Sequence, residues 1–225
     1  MATHLDLEEQ EQLDQLKSFW KQYGNLVTWV LIIALGAYAA WQGWNWYQRE
    51  QAVKAGAMYD ELDKAAQAGD AAKAGGIFND MKSRFAGTAF TQQGGLLAAK
   101  VQFDKGQLDA ASASLQWVAA NAVEDEYKTV AHLRLAGLLL DQKKFDEALK
   151  QLDGAVAPEF AALVADRRGD VLLAQGKAED AKASYTKAWQ AMDSKLDYRR
   201  LVEAKLTALG AAPPAETPKT AGVAP

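Results

Sequence analysis

The chain has 225 residues, 49% of them hydrophobic, and a formal net charge of -4 at pH 7. Its length allows one domain of ordinary size with a real core. The acidic balance argues against a nucleic-acid partner, which needs a basic face, and the lack of Cys excludes a disulfide framework.

The first 23 residues form an acidic N-terminal segment, with Asp6, Glu8, Glu9, Glu11 and Asp14. Within it Leu13, Leu16, Phe19, Trp20 and Tyr23 follow helical spacing, which suits a helix lying on a membrane surface or against a partner there. Between Lys21 and Arg49 no charged residue occurs. A bilayer core is about 30 Å thick and takes roughly 20 helical residues, and Leu26 to Trp46 is long enough. Residues 24–47 therefore read as one transmembrane helix. Trp20 and Tyr23 before the apolar run, and Trp41, Trp44, Trp46 and Tyr47 at its end, are the aromatic rings that prefer the headgroup level. Trp29, Gly36, Ala40 and Gly43 complete the anchor residues; Gly36/Ala40 and Ala39/Gly43 are small pairs able to seat another helix. The rival reading is a cleaved signal peptide, with Ala37-Tyr38-Ala39 as the cleavage site. The acidic start and the length of the run favour the anchor. Orientation stays open, because Lys17 and Lys21 on one side balance Arg49 and Lys54 on the other.

Residues 48–210 are rich in Ala, Leu, Lys, Gln, Asp and Glu and poor in Pro, the composition of a helical domain. Three segments align within it. A small residue (Ala99, Ala136, Gly169) precedes an Ala (Ala111, Ala148, Ala181) by twelve positions. A polar turn lies between them: Lys105-Gly106-Gln107, Gln142-Lys143-Lys144, Gln175-Gly176-Lys177. Four positions after each Ala comes a large residue, Leu115, Leu152 or Tyr185. Antiparallel helices joined by a short turn approach closely only where side chains are small, and the larger residue one turn on fills the space beside them. A fainter copy precedes these: Leu62, Gly69, Ala74, Phe78 and Met81. The pattern resembles the tetratricopeptide repeat, whose period is about 34 residues; the alternative is an Ala-rich bundle. The resulting fold class is all-α, a single N-terminal transmembrane helix followed by a tetratricopeptide-like solenoid of helical hairpins. Leu196 to Leu209 reads as a closing helix ending at Gly210. Residues 211–225 hold four prolines and no large side chain, the composition of a disordered tail.

Catalytic chemistry is hard to place. No Cys or His metal spacing and no phosphate loop occur, so no cofactor, metal or small-molecule substrate is expected. His132 reads as a structural histidine. Gly75-Gly76 and Gly94-Gly95 read as helix ends or turns. What remains is surface. A hairpin solenoid has a concave groove for extended peptides or helices, and the repeat offsets put Leu96, Lys100, Phe103, Leu133, Gly137, Leu140, Asp141, Asp166, Asp170 and Leu173 towards it.

The order of parts carries a further resemblance. The acidic Leu7-Glu8-Glu9-Gln10-Glu11-Gln12-Leu13, the segment Leu16-Lys17-Ser18-Phe19-Trp20-Lys21, one anchor and an Ala-rich repeat domain resemble the YfgM family, ancillary subunits of the bacterial SecYEG translocon. The resemblance implies a non-enzymatic inner-membrane protein with a cytoplasmic N-terminus and a periplasmic domain. It also implies two partners, SecYEG and a membrane-anchored periplasmic chaperone of the PpiD type, and a role in passing newly translocated chains to periplasmic folding factors. The alternative is a periplasmic scaffold for another envelope assembly machine.

Overall fold

The computed structural model describes residues 7–155 and 157–213. The expected disordered tail lies outside them from residue 214 onward, as does the chain before Leu7. The chain divides into two units, Met1–Gln51 and Ala52–Pro225.

Helix α1, Leu7–Gln67, supplies the described part of the first unit and the opening helix of the second. Its apolar stretch turns side chains outward: Leu31, Ile33, Leu35, Trp41 and Trp44 are all more than half exposed. Surface of that kind is unfavourable in water and favourable in hydrocarbon. Among the described residues α1 is the one helix long and apolar enough to cross a membrane, with a mean hydropathy of 1.5 over its most apolar window. Aromatic rings cluster at both ends of the run. Phe19 and Tyr23 approach to 5.2 Å between centroids, and Trp44 and Tyr47 to 6.2 Å. The Trp20 ring covers Gly24, while Gly36 and Gly43 have open space where a side chain would stand.

In the second unit helices pair in sequence. The end of α1 shares a core cluster with α2 (Ala71–Phe85) through Leu62 and Ala65, and α3 (Ala89–Asp104) packs on α4 (Leu108–Asn121), α5 (Asp125–Asp141) on α6 (Phe145–Asp153), and α7 (Ala161–Ala174) on α8 (Ala178–Ala191). A short 3-10 turn, Pro158–Phe160, precedes α7, and α9 (Asp197–Ala208) closes the array. The repeat spacing explains the pairing. Ala74, Ala111, Ala148 and Ala181 are all fully buried, and the residues four positions on (Phe78, Leu115, Leu152, Tyr185) are at most 4% exposed. The fainter first copy is a complete hairpin, with Leu62, Ala74, Phe78 and Met81 all in the core.

The turns obey one rule. Gly69, Gly106, Lys143 and Gly176 stand five positions before the four alanines and all have positive φ, between 59° and 79°. In each turn the next amide donates back to the fifth preceding carbonyl, as Gln107 does to Gln102 and Lys177 to Leu172. That bond closes a Schellman-type helix end, which needs a left-handed residue.

Two glycine pairs depart from the sequence reading. Gly75-Gly76 lie inside α2 and Gly94-Gly95 inside α3, not at helix ends. Packing explains Gly95: a Cβ there would meet Val118 at 2.5 Å and the Phe78 ring at 2.7 Å. His132 is structural as expected. Its Nδ1 lies 2.9 Å from Gln151 Oε1, so it ties α5 to α6, and its ring fills the space beside Gly154.

Candidate functional site

The first helices of successive hairpins, α3, α5 and α7, line a groove of about 480 Å³, with Ala111 and Leu115 of α4 at its base. That volume falls in the range of ligand sites. Ala99, Leu115, Leu133 and Leu138 floor it, and Phe103 and Leu163 stand in it as exposed apolar side chains, 43% and 37% exposed. Phe160, brought in by the 3-10 turn, adds a second ring. Lys100, Arg134, Arg167 and Asp141 supply the charge.

The cations differ in how they are held. Lys100 is paired with Asp104 at 2.7 Å, one helical turn on. Arg134 donates from Nη1 to the Leu96 carbonyl at 2.8 Å, linking α5 to α3. It keeps an accessible face, and desolvation of the remainder lowers its pKa, since burial disfavours the charged form. The Arg167 guanidinium lies over Gly137, where a Cβ would touch it at 3.8 Å, and approaches Asp170 at only 3.7 Å. Gly137 thus leaves room for a cation in the groove.

The residues assigned to the groove from sequence separate into two sets. Lys100, Phe103, Leu133, Gly137 and Asp141 line it. Leu96 is packed into the core with Phe78 and Leu135, and Leu140 is half-buried against the Ala136–Leu152 cluster. Leu173 is exposed outside it. Asp166 is 2% exposed and faces α9 instead: Lys205 Nζ reaches its two oxygens at 2.8 and 3.0 Å, and the Tyr198 hydroxyl donates to it at 2.7 Å. Asp170 accepts from the same Lys205 at 2.7 Å and from the Tyr185 hydroxyl at 2.9 Å. Burial first, and then the hydrogen-bonded carboxylates, push both phenols well above the ordinary tyrosine range. These two aspartates are therefore a latch for the closing helix. Arg134, Arg167, Phe160 and Leu163 had not been expected at the groove. One signal was present, since Arg134 and Arg167 each stand two positions before the small residue of their repeat, Ala136 and Gly169.

Residues 17–211 match the model of a family described as a tetratricopeptide repeat-like domain. Relatives named ancillary SecYEG translocon subunit match this chain over most of its length. One from Neisseria gonorrhoeae is 32% identical over 213 residues, covering 93% of this chain and all of that relative. One from Escherichia coli K12 is 32% identical over 81% of this chain and 86% of its own length. The Haemophilus influenzae relative is 29% identical, with 82% and 90% covered. The chain belongs to the ancillary SecYEG translocon subunit family. The matched region includes the anchor residues Trp20, Trp29, Gly36, Ala40, Gly43 and Trp44 as well as the repeats. The family membership and the apolar span of α1 together make this a membrane-anchored protein.

Proposed function

We propose that the protein is a non-enzymatic adaptor of the SecYEG translocon, held in the inner membrane by α1 and binding through its repeat domain. The observation that carries this reading is the groove: an apolar floor with exposed aromatic and aliphatic side chains, in a chain whose relatives are translocon subunits. Such a surface offers shape, apolar area and charge, the requirements of binding. In this reading the N-terminal segment is cytoplasmic and the repeat domain periplasmic, where it passes emerging chains to a PpiD-type chaperone. The open faces at Gly36 and Gly43 suit a contact between α1 and another membrane helix.

Affinity purification of the tagged full chain from membranes in mild detergent tests the partners. SecY and the chaperone are expected with the bait, and their absence with intact bait overturns the reading. Recovery of a different envelope machine instead would favour a scaffold role. A periplasm-dependent reporter fused to the C-terminus tests orientation, with activity expected and silence refuting it.

A further inference from the structure

We infer that the groove takes an extended polypeptide segment bearing a carboxylate beside apolar side chains. The carboxylate sits at Arg134 and Arg167, and the apolar side chains lie over Phe103, Phe160 and Leu163. This rests on the adaptor reading and names the chemistry of what the domain grips.

Charge complementarity selects the occupant. The groove lining holds three cations and one carboxylate in a chain whose net charge is -4. Lys100 is already neutralised by Asp104. Arg134 forms no ion pair with a carboxylate among the described residues; its printed bond is to a backbone carbonyl. Arg167 has only Asp170 Oδ2 at 3.7 Å, too long for a hydrogen bond, while the other oxygen of that carboxylate holds Lys205 and Tyr185. Two guanidiniums with unused donors thus face one apolar space. Guanidinium is built for planar, two-point recognition of a carboxylate.

The repeat sets their spacing. Both arginines occupy the same repeat position on adjacent first helices, so they present side by side across the groove rather than along one helix. Asp141 in the same lining repels a group of higher negative charge such as a phosphate, which favours a single carboxylate. The exposed Phe103 and Leu163 lose water only when apolar side chains cover them. A peptide carrying both features satisfies both parts of the site; a purely apolar one leaves the arginines desolvated without a partner, which is unfavourable.

The test is fluorescence anisotropy on the full chain in nanodiscs. The probe is a labelled decapeptide with one glutamate flanked by leucine and phenylalanine, compared with its glutamine counterpart. The glutamate peptide is expected to bind about tenfold tighter, the scale of a charge-assisted pair over a neutral one, and to lose that advantage at high salt. R134Q/R167Q should erase the preference while lowering the melting temperature by no more than about 2–5 °C, the scale of the lost Arg134–Leu96 bond, and R134K/R167K should retain part of the preference. F103A should weaken both peptides equally. Equal affinity for the two peptides, no binding of either, or a preference that survives R134Q/R167Q overturns the inference. Co-purification of SecY with the same variants keeps the two ideas separate. If the peptides fail while the wild-type chain still recovers SecY, the groove chemistry is wrong and the adaptor reading stands. If wild type recovers no SecY, the adaptor reading is wrong.

Discussion

Asp166→Ala should undock the closing helix and leave the earlier hairpins folded. Asp166 is 2% exposed and receives Lys205 Nζ at 2.8 Å and the Tyr198 hydroxyl at 2.7 Å. Removing one partner of a buried ion pair costs about 3–5 kcal/mol. Lys205 keeps Asp170 at 2.7 Å and is itself 22% exposed, so the expected cost lies at the lower end, about 3 kcal/mol. For a domain of this size that lowers the thermal midpoint by about 6–12 °C. Asp166→Asn keeps the shape but not the charge and should cost about 1–2 kcal/mol. Circular dichroism melts of the full chain in detergent give the midpoint, and hydrogen exchange gives its location. Protection should fall in Asp197–Ala208 and in the α8 residues around Trp189, whose ring stacks on Arg199 at 4.0 Å. A loss under about 1 kcal/mol, well below the cost of breaking a buried ion pair, would refute the latch. So would protection lost evenly from α3 through α6.

Three other outcomes follow from the packing. Lys143→Gly should stabilise the domain by about 0.5–1 kcal/mol, because the left-handed conformation costs a side chain about 1–2 kcal/mol and glycine gives back part of that in chain entropy; urea titration measures it, and destabilisation would contradict the turn rule. Gly169→Ala should destabilise by about 2 kcal/mol despite its better helix propensity, since the new Cβ would stand 2.4 Å from the buried Tyr185 ring; a neutral melt would count against the close approach of α7 and α8. Stability should also decline above about pH 10, where the tyrosines of the unfolded chain ionise. Tyr185 and Tyr198 hold their protons longer when folded, so their contribution is complete below that pH and is lost as pH rises. Urea midpoints from pH 8 to 11 should fall less steeply in the Tyr185→Phe/Tyr198→Phe variant, and an unchanged slope would show that other groups govern the alkaline limit.

Local chemistry made the anchor and the hairpins readable in the sequence. An uncharged run long enough for a bilayer needs no knowledge of neighbours, and the Ala-to-large spacing repeats because every hairpin solves the same packing problem. The groove was legible only in part. Lys100, Phe103 and Asp141 keep the exposure that their repeat offsets imply, but Asp166 does not, because α9 lies outside the repeat and covers the last copy. The same gap hid the meaning of Gly95, whose neighbours Phe78 and Val118 come from two other helices. Arg134 and Arg167 were visible as a repeated pair, yet an arginine on a helix usually marks a solvated face, and only the apolar walls around them give the pair a purpose.

The four left-handed turns have a bearing on how such a domain changes over time. Each hairpin carries its own stop signal and its own small-to-large contact, so a hairpin can be gained, lost or exchanged with few compensating substitutions elsewhere. The arginine pair belongs to two neighbouring copies, so it travels with the α5–α7 junction and not with the length of the array. Hairpins on either side of that junction can therefore be added or lost without separating the two arginines.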